Sequence, residues 1–154
     1  MVPRVGQRVA EFSLPDTDGH ERSLTDFTEQ GTTVLVFFPF AFSGVCDKEW
    51  CALRDDSVEF SNRARIVGIS VDSVFALRVF AQTYNIAYPL LSDFNKKVSR
   101  LYGVLQNPWV DYHYGGVAKR SVFVVDSRGI LRYRWVTDDP SLEPPYNEVL
   151  KAVK

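Results

Sequence analysis

Apolar residues along this chain fall into short blocks of two kinds. Thr33-Val34-Leu35-Val36-Phe37-Phe38 and Ile66-Val67-Gly68-Ile69-Ser70-Val71 are β-branched and aromatic runs with almost no polar interruption, the pattern of a strand buried on both faces. Pro39 ends the first run. Between the two, Asp47 to Asn62 carries Trp50, Leu53, Val58 and Phe60 among its apolar positions and is predicted as a helix. A second helix is predicted from a cap at Asp72 or Ser73 through Tyr84, with Val74, Leu77, Val79 and Phe80 among its apolar positions. Shorter signals follow: a strand over Ala87 to Leu91 and a helix over Asn95 to Tyr102. Ser121 to Val125 and Ile130 to Val136 are predicted strands joined by Asp126-Ser127-Arg128-Gly129, and Tyr146 to Val153 a final helix. Near the start, Asp18-Gly19 within Val9 to Leu24 predicts a small hairpin, followed by a short helical turn over Ser23 to Phe27 with Ser or Thr near its N-cap.

Strand-helix alternation calls for parallel pairing with right-handed crossovers, and the closing hairpin adds antiparallel strands. The expected fold class is α/β: a central mixed β-sheet flanked by helices, with an N-terminal β-hairpin. A thioredoxin-like fold satisfies that order. With no repeat, low-complexity stretch or linker, residues 1–154 are expected to form a single domain. Hydrophobic residues at 45% and charged residues at 24% fit a soluble globular protein. Lys plus Arg number 18 against 19 Asp plus Glu, a net charge of −1, so there is no basic excess to neutralise phosphates and nucleic acid is not an expected partner. The longest apolar run, Thr33 to Phe42, is too short to cross a bilayer, and residues Met1 to Arg8 lack the apolar segment of a secretory signal. No membrane association is expected, and the location is expected to be cytoplasmic.

The two cysteines, Cys46 and Cys51, are five residues apart. A bridge closing so short a loop would restrict the unfolded chain little, and in a cytosolic chain such spacing favours redox or metal chemistry. Cys46 follows a buried strand at the predicted N-terminus of a helix. Unpaired backbone N–H groups and the helix dipole stabilise an anion there, and the thiolate is the nucleophilic form of cysteine. The preceding residues are Pro39-Phe40-Ala41-Phe42-Ser43-Gly44-Val45. Gly44 lets the backbone approach a small ligand, Ser43 offers a hydroxyl that can both accept and donate, and Pro39 with the neighbouring Phe residues is expected to exclude water.

This segment resembles the peroxiredoxin active-site signature, Pro-x-x-x-Thr/Ser-x-x-Cys, with Pro39, Ser43 and Cys46 in register. Glu49 matches the acidic residue often found three positions after the peroxidatic cysteine. Gly116-Val117-Ala118-Lys119-Arg120-Ser121-Val122-Phe123-Val124-Val125-Asp126 is similar to the family's Arg-bearing strand, which makes Arg120 the active-site arginine. Gly68-Ile69-Ser70-Val71-Asp72 and Tyr88-Pro89-Leu90-Leu91-Ser92-Asp93 also fit the family pattern, so the likeness runs from Gly6 to Arg134. One departure is Ser43 in place of the commoner Thr; it keeps the hydroxyl and loses the methyl that limits the rotamers.

The resemblance implies a thiol peroxidase without cofactor or metal, acting on hydrogen peroxide and organic hydroperoxides in antioxidant defence. Cys46 would be the peroxidatic thiolate and Arg120 would stabilise it and the developing charge. Ser43 and the backbone N–H groups of Val45 and Cys46 would hold the peroxide, with Gly44 and Glu49 beside it. Cys46-Asp47-Lys48-Glu49-Trp50-Cys51 resembles the Q-type, or bacterioferritin-comigratory, peroxiredoxins, in which the resolving cysteine lies five residues after the peroxidatic one; the chain is also similar to the one-cysteine alkyl hydroperoxide reductase E type. If Cys51 resolves Cys46, geometry adds a condition. Five residues of intact helix rise ~7.5 Å and turn ~500°, whereas disulfide Cα atoms lie within ~6.8 Å, so the first helical turn must unwind. A thioredoxin- or glutaredoxin-like dithiol protein would then reduce the disulfide. The family uses both monomers and dimers, and the aromatic loop Trp109 to Tyr114 makes a homodimer one arrangement to test.

Other readings of the same residues remain. Cys46 and Cys51 can be inert buried residues, Glu49 a solvated helix residue, Ser43 a plain loop residue and Arg120 a surface arginine. His20 is read as a surface residue beside a turn, and His113 as part of the aromatic loop. A Cys46–His113 pair for acyl transfer lacks an orienting partner; a disulfide oxidoreductase would carry Cys-x-x-Cys; a metal module of Cys46, Cys51 and His113 lacks recognised spacing; and a non-enzymatic interaction module fits an unreactive Cys46.

Overall fold

The β-branched runs pair first with each other. The strand Thr33–Phe37 lies parallel to Arg65–Ser70, with Val34 opposite Ile66 and Phe37 opposite Ile69. The computed structural model describes residues 2–55, 60, 63–107 and 114–153, the side chain of Cys46 excepted. In chain order its elements are β1 Ser13–Pro15, β2 Glu21–Ser23, α1 Leu24–Thr28, β3 Thr33–Phe37, α2 Val45–Asp55, β4 Arg65–Ser70, α3 Val74–Tyr84, β5 Leu90–Ser92, α4 Lys97–Leu101, β6 Leu105–Gln106, β7 Val117–Ala118, β8 Ser121–Val125, β9 Leu131–Val136 and α5 Tyr146–Ala152.

The central sheet has five strands in the order β5-β4-β3-β8-β9. β3, β4 and β5 run parallel, while β8 is antiparallel to β3 and β9 antiparallel to β8. Because side chains alternate across a strand, the continuous apolar runs feed two cores. Leu35, Phe37, Val67, Ile69, Phe123 and Val125 face one side, against Leu24 and Phe27 of α1 and Val98 of α4. Val34, Val36, Ile66, Val122 and Val124 face the other, against Trp50 and Leu53 of α2, Leu77 and Phe80 of α3 and Val149 of α5. This is the expected mixed sheet with helices on both faces. The expected N-terminal hairpin is β1 paired antiparallel with β2. Among the described residues no helix is long and apolar enough to cross a membrane.

Local signals explain several boundaries. Ser23 caps α1 through a capping box, accepting from Asp26 N at 3.1 Å while Asp26 Oδ2 accepts from Ser23 N at 2.9 Å. Of the two residues proposed to cap α3, Ser73 does so, accepting from Ala76 N at 3.2 Å; Asp72 is turned elsewhere. The Asp126–Gly129 connection closes through the Asp126 carboxylate, which accepts from Arg128 N at 2.9 Å and Ile130 N at 3.0 Å.

Some expectations shift. The helix expected over Asp47 to Asn62 begins at Val45 and runs to Asp55; residues 56–59 and 61–62, which include Val58, lie outside the described residues, and Phe60 is buried. The strand expected over Ala87 to Leu91 is instead Leu90–Ser92, where pairing with β4 begins at Gly68 and Leu90. The helix expected from Asn95 begins at Lys97, because Asp93 reaches forward to accept from Val98 N at 3.1 Å and Ser99 N at 2.7 Å while Lys96 turns left-handed at φ 64°. The two-residue strands β6 and β7 carried no pattern in the sequence, being too short to show a period.

Trp50 fixes one close contact. Its indole is fully buried against Phe38 and sits directly on Gly68. A Cβ at Gly68 would collide with the Trp50 ring and lie 2.6 Å from Leu90 Cδ2. Gly68→Ala is therefore expected to destabilise the fold by about 1–3 kcal/mol through overpacking, seen as a lower urea midpoint with an unchanged denaturant slope.

Candidate active site

The register of β3 against β8 builds the site. Phe37, the last residue of β3, pairs with Ser121, the first of β8, so Arg120 emerges next to the end of β3, where Phe38 and Pro39 lead into the loop before α2. The α2 helix starts at Val45, which puts the Cys46 backbone in its first turn, where N–H groups lack intrahelical partners and the dipole favours an anion. One turn on, Glu49 is fully buried and meets Arg120, which is 1% exposed. Arg120 Nη1 donates to Glu49 Oε1 at 2.8 Å and Nη2 donates to the Pro140 carbonyl at 3.0 Å. Neither a surface arginine at 120 nor a solvated glutamate at 49 survives this geometry. Glu49 is the arginine's partner; Oε2 is buried with no hydrogen-bond partner among the described residues. Burial pushes the Glu49 carboxyl up to about 7, with Arg120 pulling against it.

The loop from Pro39 to Gly44 is held by Asp72. Its Oδ2 accepts from Ala41 N at 2.8 Å and from Ser70 Oγ at 2.7 Å; burial raises this carboxyl, and the two hydrogen bonds oppose the rise. Pro39 is buried, but Ser43 and Gly44 are exposed. Ser43 Oγ donates to the Phe40 carbonyl at 2.7 Å, which commits its hydrogen to the loop and leaves its lone pairs. Gly44 takes φ 78°, a conformation that glycine adopts without strain, and its carbonyl accepts the helical bond from Lys48 N at 3.0 Å. The same turn directs Val45 N to the Ser43 carbonyl at 2.9 Å. In this structure that N–H, expected to donate to a peroxide, is already engaged. Phe42, expected to exclude water, is 48% exposed at φ 64°, its ring against Phe80 and Tyr84.

Cys51 lies on the same helix as a partly exposed free thiol. The expected aromatic loop, with Trp109 and His113, lies outside the described residues except for Tyr114, which is 47% exposed and edge-on to Phe40 at 5.4 Å. His20 is exposed by its turn beside Asp16 and Asp18. The Asp16 carboxylate there is committed to the N–H groups of Asp18 and His20 and to Arg22, which makes the trio a turn.

Sequence reasoning missed Asp72 as the loop's anchor and Tyr84 as a contact of α2, where Tyr84 Oη donates to Asp47 Oδ2 at 2.6 Å. No spacing rule links residues 31 or 37 positions apart. Among known proteins, the AhpC/TSA family model matches residues 5–134. Alkyl hydroperoxide reductase E of Mycobacterium tuberculosis is 36% identical over 132 residues, 84% of this chain and 82% of that protein. A 2-Cys peroxiredoxin BAS1, chloroplastic, of Spinacia oleracea is 30% identical over 148 residues, 89% of this chain but 54% of the relative, so the chain spans about half the length of such curated relatives. The crystal structure of peroxidoxin BcpB from Mycobacterium tuberculosis matches with a TM-score of 0.86 and 33% identity, over 97% of this chain and 95% of that one.

The buried pair carries a pH signature. Between pH 4.5 and about 7 the folded chain holds a proton on Glu49 that the unfolded chain releases, so this group's contribution to stability is full below that window and falls as pH rises through it. Glu49→Gln is expected to flatten the dependence, measured as urea midpoints across the same window.

Proposed function

This chain belongs to the AhpC/TSA family, and from that premise we propose that it is a thiol-dependent peroxidase in which Cys46 attacks hydrogen peroxide or an organic hydroperoxide. The observation that carries this reading is the meeting of the first turn of α2 with a buried guanidinium: Arg120 sits against Glu49, one turn beyond Cys46, in a place closed to bulk water. A helix start and a desolvated positive charge both favour a thiolate over a thiol.

In the proposed reaction the Cys46 thiolate displaces hydroxide or alkoxide from the peroxide. The S–O bond forms as the O–O bond breaks, Cys46 is oxidised to sulfenic acid, and the leaving oxygen takes a proton to become water or alcohol. Arg120 spreads the charge that develops on the two oxygens, while Glu49 and the Pro140 carbonyl fix the plane of its fork. Ser43 accepts from the peroxide through lone pairs that its bond to Phe40 leaves available. Pro39 and Phe38, both buried, close the strand side of the site. Gly44 supplies the turn that presents α2. The Val45 amide has no part in peroxide binding while it donates to Ser43.

We take Cys51 as the resolving thiol. Its thiolate attacks the sulfenic sulfur, and the S–O bond breaks as the S–S bond forms. Hydroxide leaves and takes up the proton Cys51 released to become water, and the disulfide is returned to two thiols by a thioredoxin- or glutaredoxin-like dithiol protein, which is itself oxidised. The chemistry calls on no metal or organic cofactor. A homodimer and a cytoplasmic setting belong to the same proposal.

Intact mass after one equivalent of peroxide tests the scheme. Loss of two hydrogens is expected for the wild type and a stable gain of one oxygen for Cys51→Ser, whereas a stable oxygen gain in the wild type would remove Cys51 from the mechanism. Cys46→Ser is expected to abolish peroxide consumption. Arg120→Lys, which keeps the charge but loses the fork, is expected to slow the second-order reaction on the order of a hundredfold in stopped flow.

A further inference from the structure

Resolution by Cys51 requires the start of α2 to unwind, so whatever ties that turn to the body of the protein controls the step. A single residue does much of the tying. Tyr84, the last residue of α3, touches α2 at two points: its hydroxyl donates to Asp47 Oδ2 at 2.6 Å, and its carbonyl accepts from Arg54 Nη1 at 2.9 Å. Asp47 and Arg54 lie seven residues apart and bracket Cys51. From the structure we infer that Tyr84 is a positioning residue, a clamp that holds α2 helical and thereby sets how the Cys46 sulfenic acid divides between resolution and further oxidation. This deepens the proposed peroxidase and rests on Cys51 being its resolving thiol.

The two attachments are not equivalent. Unwinding the first turn need not disturb the Arg54 end, where Tyr88 Oη also donates to the Leu53 carbonyl at 3.2 Å. The Tyr84–Asp47 bond reaches into the turn that must open, ahead of the Glu49–Arg120 pair. That bond has a charged acceptor and a short separation, both marks of the stronger class of hydrogen bond. Its setting is partly dry: Tyr84 packs edge-on to Phe80 at 5.3 Å, Phe42 leans on both rings, and Asp47 Oδ1 is buried without a hydrogen-bond partner among the described residues. Asp47 also stands in the first turn of the helix, where the dipole favours its charge.

Two fates compete for the sulfenic acid. In one, Cys51 attacks its sulfur, an S–S bond forms, and the hydroxyl leaves as water with the Cys51 proton. In the other, the sulfenate attacks a second hydroperoxide, gaining one oxygen to become sulfinate and releasing water or alcohol. The first needs α2 open and the second uses the folded site. The clamp therefore slows resolution and favours over-oxidation.

Tyr84→Phe removes the hydroxyl and keeps the ring. The variant is expected to form the disulfide about tenfold faster, the scale of one hydrogen bond to a charged acceptor, followed by the fluorescence of buried Trp50 in stopped flow. The peroxide concentration that drives half the protein to sulfinic acid, read as a gain of two oxygens, should rise by the same factor. Amides at the start of α2 should exchange faster while those of β4 and β8 do not, a contrast that general destabilisation would not produce. Asp47→Asn, which weakens the same bond from the other side, should act in the same direction and serves if Tyr84→Phe does not fold. Unchanged disulfide rate and sulfinic yield in a variant that still forms the disulfide would overturn the clamp. A wild type that keeps a single added oxygen would instead overturn Cys51 as resolving thiol, and the partition with it, while unaltered α2 exchange in the variant would overturn the clamp by itself.

Discussion

A guanidinium buried to within 1% of full enclosure needs a partner, and the site is organised around meeting that need. Taking Arg120 out of water costs several kcal/mol unless its charge and donors are satisfied. Glu49 supplies an acceptor at 2.8 Å, which carries a charge once its raised carboxyl ionises, and the Pro140 carbonyl a further acceptor at 3.0 Å. Because Glu49 rides on α2 one turn past Cys46, the pair also locks that helix against the sheet. A hydrophobic pair of like volume would stabilise the fold at least as well. Retention of charge here makes sense as chemistry: a positive group held dry near a helix start, a setting that favours an anion.

The rest of the α2 environment serves the same placement. Trp50 fills the groove above Gly68 and packs on Phe38, which sets the depth of the helix. Asp72 grips the loop through Ala41 N. Left-handed backbone at Phe42 and Gly44 brings the chain from strand to helix within seven residues, 38 to 44, and the strain of a non-glycine residue there is borne by the packing of the Phe42 ring on Phe80 and Tyr84. Tyr84 then joins the far face of α2 to α3. The helix that carries both cysteines is thus held from three sides, with the contact at Asp47 in its first turn.

Much of this was legible beforehand. The runs Thr33–Phe38 and Ile66–Val71 could be recognised as strands because a strand buried on both faces has no polar alternation, and Cys46 could be placed at a helix start because it follows the strand that Pro39 ends and precedes a helical pattern. Arg120 and Glu49 were picked out as site residues by resemblance to the peroxiredoxin signature and its Arg-bearing strand; their contact was not, since residues 71 positions apart leave no periodic trace. Where expectations slipped, a side chain at a distance was responsible. Asp93 moved the start of α4 to Lys97 by capping two amides further on, and Asp72 leaves the helix cap to Ser73, its carboxylate accepting from Ala41 N and Ser70 Oγ instead.

By itself, then, the sequence determined the order and type of the main elements, the mixed sheet they form, and the place of a cysteine, Cys46, at a helix start, because periodicity, turn residues and motif spacing act over a few neighbouring positions. Only the tertiary structure decided that Glu49 is buried as the partner of Arg120, that the Val45 amide turns inward to Ser43, that Asp72 holds the loop, and that Tyr84 clamps α2. Each of these depends on strand register and helix packing, which bring side chains together through space after local preferences have been spent.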